Sequence, residues 1–159
     1  MCIRDRVYAV DKFPRPSPHA REVWGLDRLD QLLEISDWFV VTAPRTAETR
    51  GLIDRRRIGL MKSSAHLIVI SRGGIVDEEA LGRAVRSGDL AGAGIDATEK
   101  EPPAPDSPLW DTPNILLSPH ASAFTPSLYI GRREAFKENL RRYLAGEPFL
   151  YVCDKKEGF

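Results

Sequence analysis

Two short runs of consecutive apolar residues constrain this chain most: Leu67-Ile68-Val69-Ile70, and Ile115-Leu116-Leu117 within Asn114-Ile115-Leu116-Leu117-Ser118. Neither alternates polar with apolar, so as strands they are expected to bury both faces, as in a parallel sheet covered by helices on each side. Each run ends in turn chemistry, Gly73-Gly74 after the first and Pro119 after the second. The unit recurs along the chain. Val7-Tyr8-Ala9-Val10 runs into Asp11, Trp38-Phe39-Val40-Val41-Thr42 is stopped by Ala43-Pro44, and the small residues of 91–95 lead into Asp96.

Helical patterns lie between these strands. Leu26, Leu29, Leu32 and Leu33 have helical spacing. Asp54 is placed to cap a short helix burying Ile58 and Met61. Asp77 caps one presenting Leu81, Ala84 and Val85, which Gly88 ends. Thr125-Pro126 opens a longer helix with an apolar stripe of Phe136, Leu140, Tyr143 and Leu144, closed by Gly146. Residues 14–18 and 102–108 are Pro-rich loops. Leu150-Tyr151-Val152 reads as an edge strand or as a segment packed on another domain. The expected architecture is α/β, with five parallel strands, helices on both faces and right-handed crossovers.

The chain has 159 residues with 23 basic and 23 acidic side chains, so no net charge argues for nucleic acid or an anionic membrane as partner. No apolar run is long enough to span a bilayer, and the N-terminus lacks the apolar stretch of a signal peptide. Cys2 and Cys153 stand at opposite ends of the chain and read as free thiols in a reducing compartment, with no metal site. A cytoplasmic location is therefore expected. The first six residues, Met1-Cys2-Ile3-Arg4-Asp5-Arg6, fit no element; they resemble translated sequencing-adapter sequence, and the fold is read from Val7.

Several reactive side chains directly follow strand ends. Asp11 follows the first strand, Ser71-Arg72 the third and Asp96 the fourth, while His120 lies just past the fifth. In an open α/β sheet, ligands bind beyond the carboxyl ends of the strands, so these groups are expected to converge on one cleft. Arginine offers a planar charged fork that suits a carboxylate, as Arg72 would. Histidine passes protons in either direction near neutral pH, as His120 would. Glu101 is a candidate partner that stabilises the charged imidazole and fixes its tautomer. Such a set fits interconversion of a hydroxy acid and a keto acid, with a cofactor carrying the hydride. Taken singly, each residue has a plainer reading: a solvated loop arginine, a satisfied loop histidine, an exposed acid in Glu99-Lys100-Glu101, a capping Asp96, a turn-forming Asp11 or Gly73-Gly74.

Together they match a family. The runs Ser71-Arg72-Gly73-Gly74-Ile75-Val76-Asp77-Glu78-Glu79-Ala80-Leu81, Gly94-Ile95-Asp96-Ala97-Thr98-Glu99-Lys100-Glu101-Pro102 and Asn114-Ile115-Leu116-Leu117-Ser118-Pro119-His120-Ala121-Ser122 resemble D-isomer-specific 2-hydroxyacid dehydrogenases. Residues 46–53, with Glu48-Thr49-Arg50-Gly51-Leu52, resemble a further family segment. Three long motifs in the right order are highly specific. The resemblance implies Arg72 on the substrate carboxylate and carbonyl, His120 as acid–base and Glu101 as its partner. It implies Asp96 at the nicotinamide carboxamide and Asp11 at the adenosine ribose, which favours NAD over NADP because a 2′-phosphate would meet its charge. Ala43, Pro44, Ile70 and Ser71 would line the cofactor cleft, joined by Arg72 and His120, with Ala121, Ser122 and Ala123 at the nicotinamide end. Arg45 replaces a common leucine and Ser63-Ser64 a Pro-Gly turn, both expected to lie away from the chemistry.

No G-x-G-x-x-G precedes Val7. The expected fold is therefore an incomplete doubly wound parallel (Rossmann) sheet: residues 7–124 as a partial dinucleotide-binding domain and 125–159 as the C-terminal helix and tail of a substrate domain. In the usual strand order the absent strand is central. The Val7 and Trp38 strands are then expected to lose their link to the other three, leaving a chain that is unstable alone and binds NAD weakly. The implied parent is a homodimer acting on a small 2-hydroxy or 2-keto acid; the alternative function is an NAD-sensing transcriptional corepressor that binds peptides.

Overall fold

The computed structural model describes residues 7–155; the six adapter-like residues lie outside them. In chain order it contains β1 (Tyr8–Val10), β2 (Glu22–Trp24), α1 (Leu29–Ile35), β3 (Trp38–Val41), α2 (Arg55–Ile58), β4 (His66–Val69), α3 (Glu78–Ser87), β5 (Gly92–Ile95), β6 (Ile115–Leu117) and α4 (Pro126–Ala145). Every strand pairing is parallel, in two sheets: β1 with β2, and β3-β4-β5-β6 in that order. This is a Rossmann-like α/β fold.

Helix boundaries follow local capping. Asp54 Oδ1 accepts the Arg57 N–H at 2.9 Å, and Asp77 Oδ1 accepts the Ala80 N–H at 2.8 Å. Thr125 Oγ1 accepts the Leu128 N–H at 3.2 Å, with Pro126 as the first helical residue of α4. Gly88 and Gly146 end α3 and α4 at φ of 81° and 66°, left-handed values that a side chain would resist.

Three expectations need correction. First, the described residues form six strands rather than five, because Glu22-Val23-Trp24 pairs with β1. The ladder is extended by Arg21 N–H to Val7 O (2.7 Å) and Asp11 N–H to Trp24 O (3.0 Å). Second, the sheet breaks between β1 and β3, not between β3 and β4. Trp38 pairs with His66 and Val41 with Val69, so β3 is linked through β4 to the rest of its sheet and stands at that sheet's edge. A Lys12–Glu48 ion pair at 3.0 Å links the segments that follow β1 and β3.

Third, among the described residues, helices cover one face of the four-stranded sheet and leave the other open. Phe39, Val41, Leu67, Val69, Ala93 and Ile95 are buried in one cluster with Leu29, Leu32 and Leu33 of α1, Ile58 of α2, and Leu81 and Val85 of α3. The register places Trp38 beside His66, and Val40, Ile68, Gly94 and Leu116 in one row. There Trp38 is 64% and Leu116 74% exposed, and the Trp38 ring stacks on His66 at 4.3 Å. The unalternating runs thus alternate in burial, because no described helix lies over their second face. Helix α4 buries no residue, and its stripe of Phe136, Leu140, Tyr143 and Leu144 is exposed. The 150–152 segment forms no strand. Leu150 is instead tied to α4 by Asn139, whose side chain bonds both its N–H (2.8 Å) and its C=O (3.2 Å). Among the described residues, no helix is long and apolar enough to cross a membrane.

Candidate active site

The parallel strands β4, β5 and β6 end on the same side, and the loops that follow them carry the sequence candidates. After β4, Ser71 is buried and its Oγ has no hydrogen-bond partner among the described residues. Arg72 is exposed, and its Nη1 bonds the Ser71 carbonyl at 2.7 Å. Gly73 then presses against the loop after β5. A Cβ here would lie 2.0 Å from the carbonyl carbon and oxygen of Thr98 and 2.2 Å from the Glu99 nitrogen, so only glycine permits this backbone-to-backbone contact.

The β5 end is organised by Asp96, which is 5% exposed. Its Oδ1 accepts the Ser118 hydroxyl (2.6 Å) and the Ala121 N–H (2.8 Å), and its Oδ2 accepts the Ser122 N–H (3.0 Å). Its carbonyl accepts the His120 N–H at 2.9 Å. Burial pushes this carboxyl up, but the hydrogen bonds from the Ser118 and Ser122 side chains and from the Ser122 and Ala121 N–H groups outweigh it. They hold the carboxyl well below the ordinary aspartate value. Asp96 thereby holds the 118–122 loop along its whole length.

His120 adopts φ of 52°, a left-handed conformation costly for a non-glycine residue and concentrated at functional sites. Its Nδ1 lies 3.0 Å and 2.9 Å from the two Glu101 oxygens. A carboxylate on Nδ1 fixes the Nδ1–H tautomer and leaves Nε2 as the atom that can exchange a proton. Glu101 Oε1 also accepts the Thr98 N–H at 3.3 Å. The structure thus joins Glu101, His120 and Asp96 directly, and joins the Arg72 loop to them through Gly73; no hydrogen bond or ion pair links Arg72 to the His120–Glu101 pair.

The remaining candidates are more dispersed. Asp11 lies at the end of β1, in the smaller sheet, and its Oδ1 accepts the Phe13 N–H at 2.8 Å. Ala43 is half-buried and Pro44 exposed after β3, Ile70 is exposed after β4, and Ala121, Ser122 and Ala123 follow His120. Arg45, expected away from the chemistry, comes against the Arg72 loop: its guanidinium carbon lies 3.7 Å from where a Gly74 Cβ would be. Sequence reasoning undervalued Gly73 as a turn former and missed Thr98, Ser118 and Glu78, the last of which bonds the Glu99 N–H.

A left-handed histidine tethered to a glutamate, beside an arginine loop at the carboxyl edge of a parallel sheet, agrees with the three motifs. The family model for D-isomer specific 2-hydroxyacid dehydrogenase, NAD binding domain, matches residues 3–122. The chain belongs to this family. It is 44% identical over 119 residues to glyoxylate/hydroxypyruvate reductase B of Pectobacterium carotovorum subsp. carotovorum (strain PC1), covering 75% of this chain and 37% of that protein. It is 40% identical to D-3-phosphoglycerate dehydrogenase of Archaeoglobus fulgidus over 75% of this chain and 23% of that protein. Among solved structures, a D-isomer specific 2-hydroxyacid dehydrogenase from Xanthobacter autotrophicus Py2 in complex with NADPH and MES superposes with a TM-score of 0.86 at 37% identity, covering 96% of this chain and 62% of that chain. An NADPH-dependent glyoxylate/hydroxypyruvate reductase from Sinorhizobium meliloti, in complex with NADP and sulfate, gives the same TM-score at 27% identity, covering 96% of this chain and 49% of that one. The chain therefore spans less than two thirds of each of these family members.

Proposed function

We propose that the protein containing this chain is an oxidoreductase that moves a hydride between NAD(H) and a small D-2-hydroxy acid or 2-keto acid. The observation that carries the reading is the His120 Nδ1–Glu101 contact, 2.9 Å at its shorter, made by a histidine at a strand end within the family's motifs. Arg72 holds the carboxylate and carbonyl of the substrate with its charged fork. His120 gives a proton from Nε2 to the carbonyl oxygen as it is reduced and takes it back in the reverse direction. Glu101 holds the imidazole in its tautomer and stabilises it when charged. Glyoxylate and hydroxypyruvate are the substrate class suggested by the relatives' names.

The cofactor supplies the hydride. The residues present fit its nicotinamide end. Ser71 Oγ is a buried polar atom without a partner, beside exposed Ile70, and a buried unpartnered hydroxyl calls for a ligand atom or water. Asp96 and residues 121–123 frame the same edge, with Ala43 and Pro44 following β3. Asp11 would take the adenosine ribose, and its charge favours NAD over NADP. The 159-residue chain by itself, with one face of its four-stranded sheet open among the described residues, is read as inactive and marginally stable; a cooperative melt raised by NAD would overturn that.

The test of the function is oxidation of NADH and NADPH by the whole enzyme against a panel of 2-keto acids. The reading expects turnover of glyoxylate or hydroxypyruvate with NADH preferred. Tight NADH binding with no turnover of any acid would favour the peptide-binding corepressor instead.

A further inference from the structure

Helix α3 opens with two glutamates that behave differently. Glu79 is exposed and pairs with Arg83 one turn on, the ordinary use of an acid in a first helical turn. Glu78 is half-buried and turned away from its own helix; its Oε1 accepts the backbone N–H of Glu99 at 2.5 Å. The Thr98–Glu99 peptide it holds is the one against which Gly73 is pressed. The Thr98 N–H, one residue back, bonds Glu101 Oε1, and Glu101 bonds His120 Nδ1. A continuous path therefore runs from Glu78 through that peptide and Glu101 to His120.

From this path we infer that Glu78 is a positioning residue for the His120–Glu101 pair, fixing the peptide from which the Glu101 loop hangs. The inference rests on the proposed acid–base role of His120. The electrostatics agree with a site built for geometry rather than stability. Burial pushes the Glu78 carboxyl up, the Glu99 N–H holds it down, and the charges of Glu99, Glu101 and Asp77 push it up again. A neutral residue at this position would avoid that repulsion; what the carboxylate gains is one backbone N–H in the catalytic loop. Without it the Glu99 N–H loses its acceptor and the peptide is held by the Gly73 contact and the Thr98 bond, and small misplacements of reacting groups cost large factors in rate.

The test uses the whole enzyme with Glu78→Ala, Glu78→Gln and Glu79→Ala, and two readouts. Imidazole NMR of 15N-histidine-labelled protein reports the His120 Nδ1–H bond to Glu101 without cofactor or substrate. Steady-state kinetics reports kcat and KM separately. Glu78→Ala is expected to weaken the bonded Nδ1–H signal and to lower kcat by ~10–100-fold while KM changes little. Glu78→Gln, whose amide oxygen can still accept the Glu99 N–H, restores most of both; Glu79→Ala matches wild type. Should Glu78→Ala fail to fold, Glu78→Asp, one methylene too short to reach, replaces it. The inference is overturned if Glu78→Ala leaves the imidazole signal and kcat unchanged, if Glu78→Gln is as damaged as Glu78→Ala, or if Glu79→Ala falls equally. If the wild type turns over no keto acid, the functional reading falls, and the imidazole signal alone decides the role of Glu78.

Discussion

The carboxyl edge of the four-stranded sheet and its uncovered face are made by the same strands, yet they are finished to different degrees. At the edge, Asp96 takes three side-chain-accepted bonds from the 118–122 loop, Gly73 abuts Thr98 and Glu99, and Glu101 holds His120. On the open face, Trp38, Val40 and Leu116 stand exposed, and α4 turns its apolar stripe to solvent. The difference teaches that the geometry of the candidate site is set by contacts within residues 71–122, whereas the cover of the sheet is not. A site can be prebuilt on a sheet with one open face, because its loops are bonded to one another rather than to anything on that face.

Several changes sharpen or break this comparison. The largest effect belongs to the edge: His120→Ala should lower kcat/KM of the whole enzyme by about 10²–10⁴-fold, the usual worth of a positioned acid–base, with the fold unchanged by circular dichroism. The buried and open apolar groups come next. Leu81 is 0% and Leu144 78% exposed. Leu81→Ala should cost the 159-residue chain ~2–5 kcal/mol, enough to abolish its folded signal, while Leu144→Ala should stay within about 0.5 kcal/mol in urea unfolding. Equal losses would mean that α4 is packed after all.

A smaller effect is expected at Asp96. Its folded carboxyl is held below the ordinary value, so its contribution to stability is complete above the unfolded aspartate value of about 4 and is lost as pH falls from there through the lower folded value. Asp96→Asn should cost ~1–3 kcal/mol near neutral pH, and its deficit against wild type should shrink in acid. A deficit that grows as pH falls would contradict this sign.

What was legible in the sequence was mostly local. Asp54, Asp77 and Thr125 announce their helices because a capping oxygen and the N–H that donates to it are three residues apart. Arg72, Asp96 and His120 were found because reactive side chains at strand ends mark the ligand edge of such sheets. The β2 strand was not found, since Glu22-Val23-Trp24 is too short to show a period. The open face was not foreseen because an apolar run records what can be buried, not whether a layer exists to bury it. Gly73 and Glu78 stayed hidden for a related reason. Their partners, Thr98 and Glu99, are more than 20 residues away, and in sequence one reads as a turn glycine and the other as a first-turn acid.

The central claim, that Glu101 and His120 act as one bonded unit, is tested most directly by kcat/KM of the whole enzyme carrying Glu101→Gln and His120→Ala together, beside each single variant. Residues acting as a unit are non-additive, so the double variant should be no slower than His120→Ala alone. Losses that multiply would mean that the two residues work independently and that the 2.9 Å contact is incidental to catalysis.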